Sequence, residues 1–284
     1  MDATPTSEAT DEHPSRHLVR HHKVRTAILA LLSLVVIFVL VSVVLTLEGR
    51  ARPVSVSQAV SHYNAAPSTD PGQHPVPGVY TYKGTGTDSL SLPPLSQAEG
   101  PTLPGTVEVR ADGCWSFRID YSTNHWQNWT YCTRPTGLVE TGGQVWQRWM
   151  VGPVAETNLS RLRCSLPLLS IPSTGAPGTV WPARCTGSST QIPGTLVSAG
   201  STRYLGQPNL TIAGHTIRSV HVQVQWRLSG PQVGLERDDL WYDANSGLPL
   251  QNRRSIHLRT DTPFGQSTYN ENGEFVLRSL TPST

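Results

Sequence analysis

Residues 216–230 read TIRSVHVQVQWRLSG, and their alternation decides the fold. Val220, Val222, Val224, Trp226 and Leu228 hold the even positions, while Ser219, His221, Gln223, Gln225 and Arg227 hold the odd ones. Successive side chains of a strand point to opposite faces, so this stretch has one apolar face and one wet face. A strand of that kind belongs to an antiparallel sheet covered on one side.

The same grammar extends outward in both directions. In residues 106–132, TVEVRADGCWSFRIDYSTNHWQNWTYC, Asp112-Gly113 supplies a turn, and Trp115, Phe117, Ile119 and Tyr121 then share one face. If the chain folds back through Ser122 to His125, residues whose numbers sum to 246 face each other. That register places Trp129 and Tyr131 on the aromatic face and sets Cys114 opposite Cys132. Four cysteines allow three pairings on paper. The register favours Cys114–Cys132 and leaves Cys164 with Cys185, closing a Pro-Gly-Ser loop that makes few contacts of its own. Residues 84–89, GTGTDS, read as a hairpin loop. No helix signal follows them, as a phosphate cradle requires.

Residues 239–258, DLWYDANSGLPLQNRRSIHL, form a further hairpin turned at Ala244–Gly247. Leu240, Tyr242, Leu248, Leu250, Ile256 and Leu258 share its even face. Pro249 marks a sheet edge or a strand start. A last pair of strands is expected in residues 264–280, turned at Asn272-Gly273.

Upstream, residues 26–47 contain no charge, Pro or Gly. At about 1.5 Å per residue they reach about 33 Å, enough to cross a bilayer, and they exceed the 7–15 residues of a signal-peptide core. We therefore expect an uncleaved transmembrane helix over 26–47. Arg16, Arg20, Lys23 and Arg25 precede it and only Arg50 and Arg52 follow closely, which places the N-terminus in the cytoplasm and the rest outside. Disulfides fit that outer compartment. The organisation is then a disordered cytoplasmic tail (1–25), the span, a linker (48–78) with a two-turn helix over 56–63 and a Pro/Gly-rich spacer lifting the domain off the membrane, and an extracytoplasmic β domain (79–284). A formal net charge of +2 gives no field to attract nucleic acid.

The Trp-x-Asp-x-x-x-Gly-Leu-Pro-Leu pattern at Trp241–Leu250, together with the strand before it and the Gly-containing strand after it, resembles extracytoplasmic half-barrel proteins related to lipoprotein carriers and to the periplasmic regulator of an envelope-stress sigma factor. The whole chain resembles a group of single-pass actinobacterial envelope proteins. The resemblance implies a mainly β, curved, half-barrel-like antiparallel sheet around a short helix, with the hairpin at a sheet edge and an apolar concave face able to shelter an acyl chain. Two features depart from the carriers: no lipobox cysteine is present, and two disulfides are expected.

Catalytic signatures are missing. No G-x-S-x-G, H-E-x-x-H, G-x-x-x-x-G-K-[ST] or C-x-x-C occurs, so no enzyme, cofactor or metal is expected. His13, His17, His21 and His22 read as a solvated juxtamembrane run, and His215, His221 and His257 as outer-face residues. Asp238, Asp239 and Asp243 read as partners of Arg237, Arg253 and Arg254 in cross-strand ion pairs. Trp146, Trp149 and Trp181 would be binding anchors if exposed. The expected function is a membrane-anchored binding module for lipid, lipoprotein or an envelope partner, with Trp129, Tyr131, Trp226, Leu228, Leu240 and Tyr242 lining its concave face. The alternative is a structural subunit of an envelope assembly in which those six pack without a void.

Overall fold

The structure, a computed structural model, describes residues 16–63, 74–110, 112–263 and 265–284. The first element is α1 (Arg16–Glu48), and its segment Ile28–Leu45 has a mean hydropathy of 3.3 with none of it buried. It is long and apolar enough to cross a membrane. The helix runs back through residues 16–25, which the sequence reading assigned to a disordered tail. No Pro or Gly falls between Pro14 and Gly49, so nothing stops the helix at the edge of the apolar segment. Residues 1–15, His13 among them, lie outside the described residues, as do the side chains of His17, His21 and His22.

The expected two-turn helix is α2 (Val56–His62). Ser55 caps it, and Gln58 completes a reciprocal capping box. The chain just before α2 is tied to the β domain. Asn124 Nδ2 donates to the Gly49 carbonyl at 2.8 Å, and Arg52 and Thr123 exchange hydrogen bonds of 2.8 and 3.0 Å. The domain is thus fastened within a few residues of the apolar helix, and residues 64–73 of the expected spacer lie outside the described residues.

The β domain consists of β1 (Gly78–Ser91), β2 (Pro94–Glu99), β3 (Thr102–Val109), β4 (Trp115–Ser122), β5 (His125–Arg134), β6 (Gly137–Val151), β7 (Val154–Pro172), β8 (Val180–Ser189), β9 (Leu196–Gly206), β10 (Asn209–Ile212), β11 (His215–Ser229), β12 (Gln232–Asp243), β13 (Pro249–Thr262) and β14 (Gly265–Leu277). They form one antiparallel sheet in the order β10-β11-β12-β13-β14-β1-β3-β4-β5-β6-β7-β8-β9, with β2 beside β1 and a further pairing of β9 with β11. That last pairing runs from Gly206↔His221 to Val197↔Ser229 and closes the sheet on itself. The mainly β, antiparallel sheet is as expected, and the pairing of β9 with β11 carries it beyond a half-barrel to a closed ring. Short β10 occupies the start of the β11 edge, and β9 takes the rest, so the ring leaves no long unpaired edge.

Alternation places the core as read. Val220, Val222, Val224 and Trp226 are buried inside the ring, and β4 pairs β5 in the register that sums to 246, from Trp115↔Tyr131 to Asp120↔Trp126. The aromatic core stacks accordingly: Trp115 on Tyr131 at 4.5 Å, and Tyr82 edge-on to Phe117 and Phe275 at 5.7 and 5.2 Å. Both disulfides form as expected, Cys114–Cys132 and Cys164–Cys185.

Four local expectations are overturned. Residues 84–89 are not a loop but the middle of β1, and Asn272-Gly273 is not a turn but the middle of β14, where Gly273 faces Gly86. The cause is the same for both. A Cβ on Gly86 would meet the Glu99 carboxylate and the Asn272 carbonyl, so these glycines serve close strand approach and not chain reversal. Pro249 starts β13, and the hairpin β12–β13 lies inside the sheet, not at its edge. The Cys164–Cys185 segment is no loose loop: β7 continues to Pro172, and Leu168, Leu169 and Ser170 are buried.

Because β7 and β8 already pair, each disulfide should act mainly on the unfolded chain. With the cysteines 18 and 21 positions apart along the chain, loss of either bridge should cost roughly 3 kcal/mol. Urea unfolding of Cys164→Ala/Cys185→Ala and Cys114→Ala/Cys132→Ala checks this. Near-equal losses are expected, and a negligible loss for the first pair would mean that strand pairing alone orders β7.

Candidate functional site

The inner face of the ring divides into an aromatic part and an ionic part, and Arg254 on β13 sits where they meet. Its guanidinium donates from Nη2 to Glu236 Oε1 at 2.5 Å and from Nη1 to Gln127 Oε1. Its Nε lies 3.6 Å from Asp238 and 3.5 Å from Glu271, and the ring of Trp129 is 5.9 Å away. The side chain is only 7% exposed. Of the cross-strand ion pairs expected of the hairpin, Arg254–Asp238 is present but interior, whereas Asp239 pairs with Arg237 of its own strand and Asp243 holds the turn through Asn245 and Ser246. Asp238, Asn252 and Arg254 share the even phase with Leu240, Tyr242, Leu250 and Ile256, so the strand pleat that buries the leucines buries the charges too.

Gln127 passes the arrangement on. With its oxygen held by Arg254, its amide nitrogen faces His125 Nε2 at 3.4 Å. His125 Nδ1 then donates to Glu99 Oε1 at 3.0 Å and lies 3.6 Å from Asp88 Oδ2. Gln97 donates to the same Asp88 oxygen at 3.2 Å. On the other side Gln147 donates to the Tyr269 hydroxyl at 2.5 Å, which donates to Glu271 at 2.6 Å. Burial pushes the Asp88 carboxyl up to about 7, against the opposing pull of His125.

Beside Arg254 lies a cavity of about 80 Å³. Trp129, Tyr131, Trp226 and Leu240 line it, together with Glu140, Glu236 and Asp238. Of the six residues expected at the concave face, Leu228 and Tyr242 do not line it. Tyr242 is fully buried and packs edge-on against Tyr131 at 6.1 Å, and Leu228 packs in the cluster around Trp226. The cavity lies where the ladder slips. β5 and β6 lose register at Tyr131↔Glu140, and on β7 the partner jumps from Leu168 to Arg163. Such bulges re-aim side chains. Here Glu140 faces the cavity with no hydrogen bond or ion pair among the described residues. Burial, then Glu236 and Asp238, pushes its carboxyl up to about 8.

The other candidates fall on the outer face or in the core. His221 stacks on Trp241 at 4.0 Å, His257 bonds Asn270 at 2.6 Å, and His215 is exposed. Trp149 is buried edge-on to Tyr269, Trp146 stacks on Trp126, and Trp181 packs against both the aromatic core and the Cys114–Cys132 cluster, so none of the three is an exposed anchor. Sequence reasoning missed Asp88, Glu99, His125, Gln127, Glu140 and Glu236. For Glu236 the signal was present, as it is in phase with Leu240 and Tyr242. The others come from β1, β2, β5 and β6 and meet only where the sheet curves.

Two outcomes follow from these charges. Arg254→Met should cost about 3–5 kcal/mol in urea unfolding, because it strands the buried Asp238 and Glu271 and the half-buried Glu236; a loss under about 1 kcal/mol would show that they are neutral without it. Glu140 has a raised folded-state pKa, so it favours folding below its unfolded value and loses that advantage as pH rises toward 8. Glu140→Gln should match the wild-type melting temperature near pH 4 and exceed it at pH 8. Equal melting temperatures at both pH values would place the carboxyl in water.

No protein-family model matches the chain, and no curated protein matches it. Among solved structures, the hypothetical lipoprotein YmcC from Escherichia coli (K12) aligns over 80% of this chain and 98% of that one, at 10% identity and a TM-score of 0.33. A likeness of that grade carries no argument about function.

Proposed function

We propose that the protein is a membrane-anchored, non-catalytic binding module whose β domain lies outside the cytoplasm and accepts a compact cationic group in the pocket beside Arg254. The group would be presented by a lipid headgroup, a lipoprotein or an envelope protein. One observation carries the reading: three carboxylates, Glu140, Glu236 and Asp238, line an aromatic-walled pocket whose single cation is already engaged by Glu236 and Asp238. A buried carboxylate without a counter-charge is costly, and a cation held over Trp or Tyr rings gains from both charge and ring quadrupole. The pocket's size argues against an acyl chain. About 80 Å³ is roughly half the ~150 Å³ void that admits benzene, and well below the ~300 Å³ at which ligand pockets begin. The apolar helix and two disulfides support the membrane and the oxidising compartment.

The same small volume favours a second reading, a structural subunit with a nearly filled interior. Titration of the full-length protein in detergent with methylammonium, ethanolamine and the uncharged ethanolamine isostere 1-propanol, followed by tryptophan fluorescence, separates the two. The binding reading expects saturable change with the cations at millimolar concentration or below, none with the alcohol, and loss in Glu140→Gln. No saturable response to either cation would leave the structural subunit as the better reading.

A further inference from the structure

A second charged site lies deeper in the ring, apart from the aromatic pocket. Asp88 comes from β1, Glu99 from the end of β2 and His125 from the start of β5, and one donor atom from each lies within 4.8 Å of the other two. All three side chains are at most 2% exposed. Asp88 Oδ1 has no hydrogen-bond partner at all among the described residues, although it is shut away from solvent. Gly86 and Gly273 shape the place, since a Cβ on either would press against Glu99 Oε2.

The charge balance is unfavourable as it stands. Asp88, Glu99, Asp238 and Glu271 are buried around Arg254 and the His125 imidazole, and Arg254 is spent on Glu236, Asp238 and Glu271. Two carboxylates are left to one imidazole. Buried charge of that kind calls for protonation or for a further cation.

We propose that Asp88, Glu99 and His125 form a divalent metal site, with zinc as the fitting ion. A tetrahedral zinc binds His nitrogen and carboxylate oxygen at about 2.0–2.2 Å, which separates neighbouring donors by about 3.4 Å. The His125–Glu99 and His125–Asp88 distances of 3.0 and 3.6 Å already bracket that value. The third separation needs to close by no more than about 1.5 Å, within reach of small side-chain rotations. Asp88 Oδ1 is available to complete the shell. An imidazole with two carboxylates excludes calcium and magnesium as preferred ions, since both take oxygen ligands. When the metal takes Nδ1, the imidazole proton resides on Nε2, and Gln127 must turn its oxygen from Arg254 to His125 to accept it, which gives up the bond from Arg254 and leaves that guanidinium to its carboxylates.

The test is equilibrium dialysis of the full-length, disulfide-bonded protein, purified without a histidine tag and stripped with chelator, against micromolar Zn²⁺ alone, with metal and protein quantified together. About one zinc per chain is expected, with binding weakened by roughly a hundredfold or more in Asp88→Asn and in His125→Gln. The absence of tight zinc overturns the site. So does zinc retained in folded variants, which would move it to His13, His17, His21 and His22. If the variants fail to fold, X-ray absorption of the wild-type zinc complex decides. One imidazole among oxygen donors supports the site, and two or more imidazoles overturn it.

Discussion

Arg254 is the constraint on which the interior depends. Its guanidinium is the one cation that touches carboxylates on both neighbouring strands, Glu236 and Asp238 on β12 and Glu271 on β14, and it also fixes the amide of Gln127 across the ring on β5. A planar group with five donors can hold that many partners at once, and a lysine ammonium cannot. The direction of the polar contacts from Gln127 through His125 to Glu99 follows from it. Gln127 faces His125 with its nitrogen, His125 therefore carries its proton toward Glu99, and Glu99 lies over the two glycines that let β1 and β14 approach.

Ring closure makes such an interior possible. Carboxylates on an open sheet would remain in water and need no arrangement, whereas pairing of β9 with β11 puts them inside. The aromatic half of the ring, from Tyr82 and Phe275 through Phe117 and Trp115 to Tyr131, supplies the apolar burial that offsets the desolvation of the ionic half. One disulfide stands beside that boundary: Cys164 and Cys185 line the pocket where β6 and β7 lose register.

Much of this was legible in residues close along the chain. Alternation in 216–230 placed a strand and its buried face, and the register that aligned Trp115 with Tyr131 aligned the thiols of Cys114 and Cys132 as well. The misreadings have a common physical source. Glycine in GTGTDS and in Asn272-Gly273 resembles a turn locally, but its role is set by Glu99 and by the partner strand, which local sequence does not contain. The ionic site was half visible, because Asp238 and Arg254 stand in the apolar phase of their strands. Glu99, His125 and Glu140 are brought to it from β2, β5 and β6 by the curvature of the sheet, which local sequence does not show.

An interior selected for stability alone would not keep these groups. Replacing a buried ion network by aliphatic side chains of similar volume is often neutral or stabilising, and the strand phase here would accept leucine at 236, 238 or 254. Places where a sequence departs from its own patterning tend to be functional. Glu140 is the clearest departure: it projects from a bulge into a cavity, and the two carboxylates nearest to it raise its pKa further. A stable core gains nothing from that carboxyl, whereas a cation entering the cavity would be the counter-charge it lacks, and its penalty in the empty pocket would become part of the affinity.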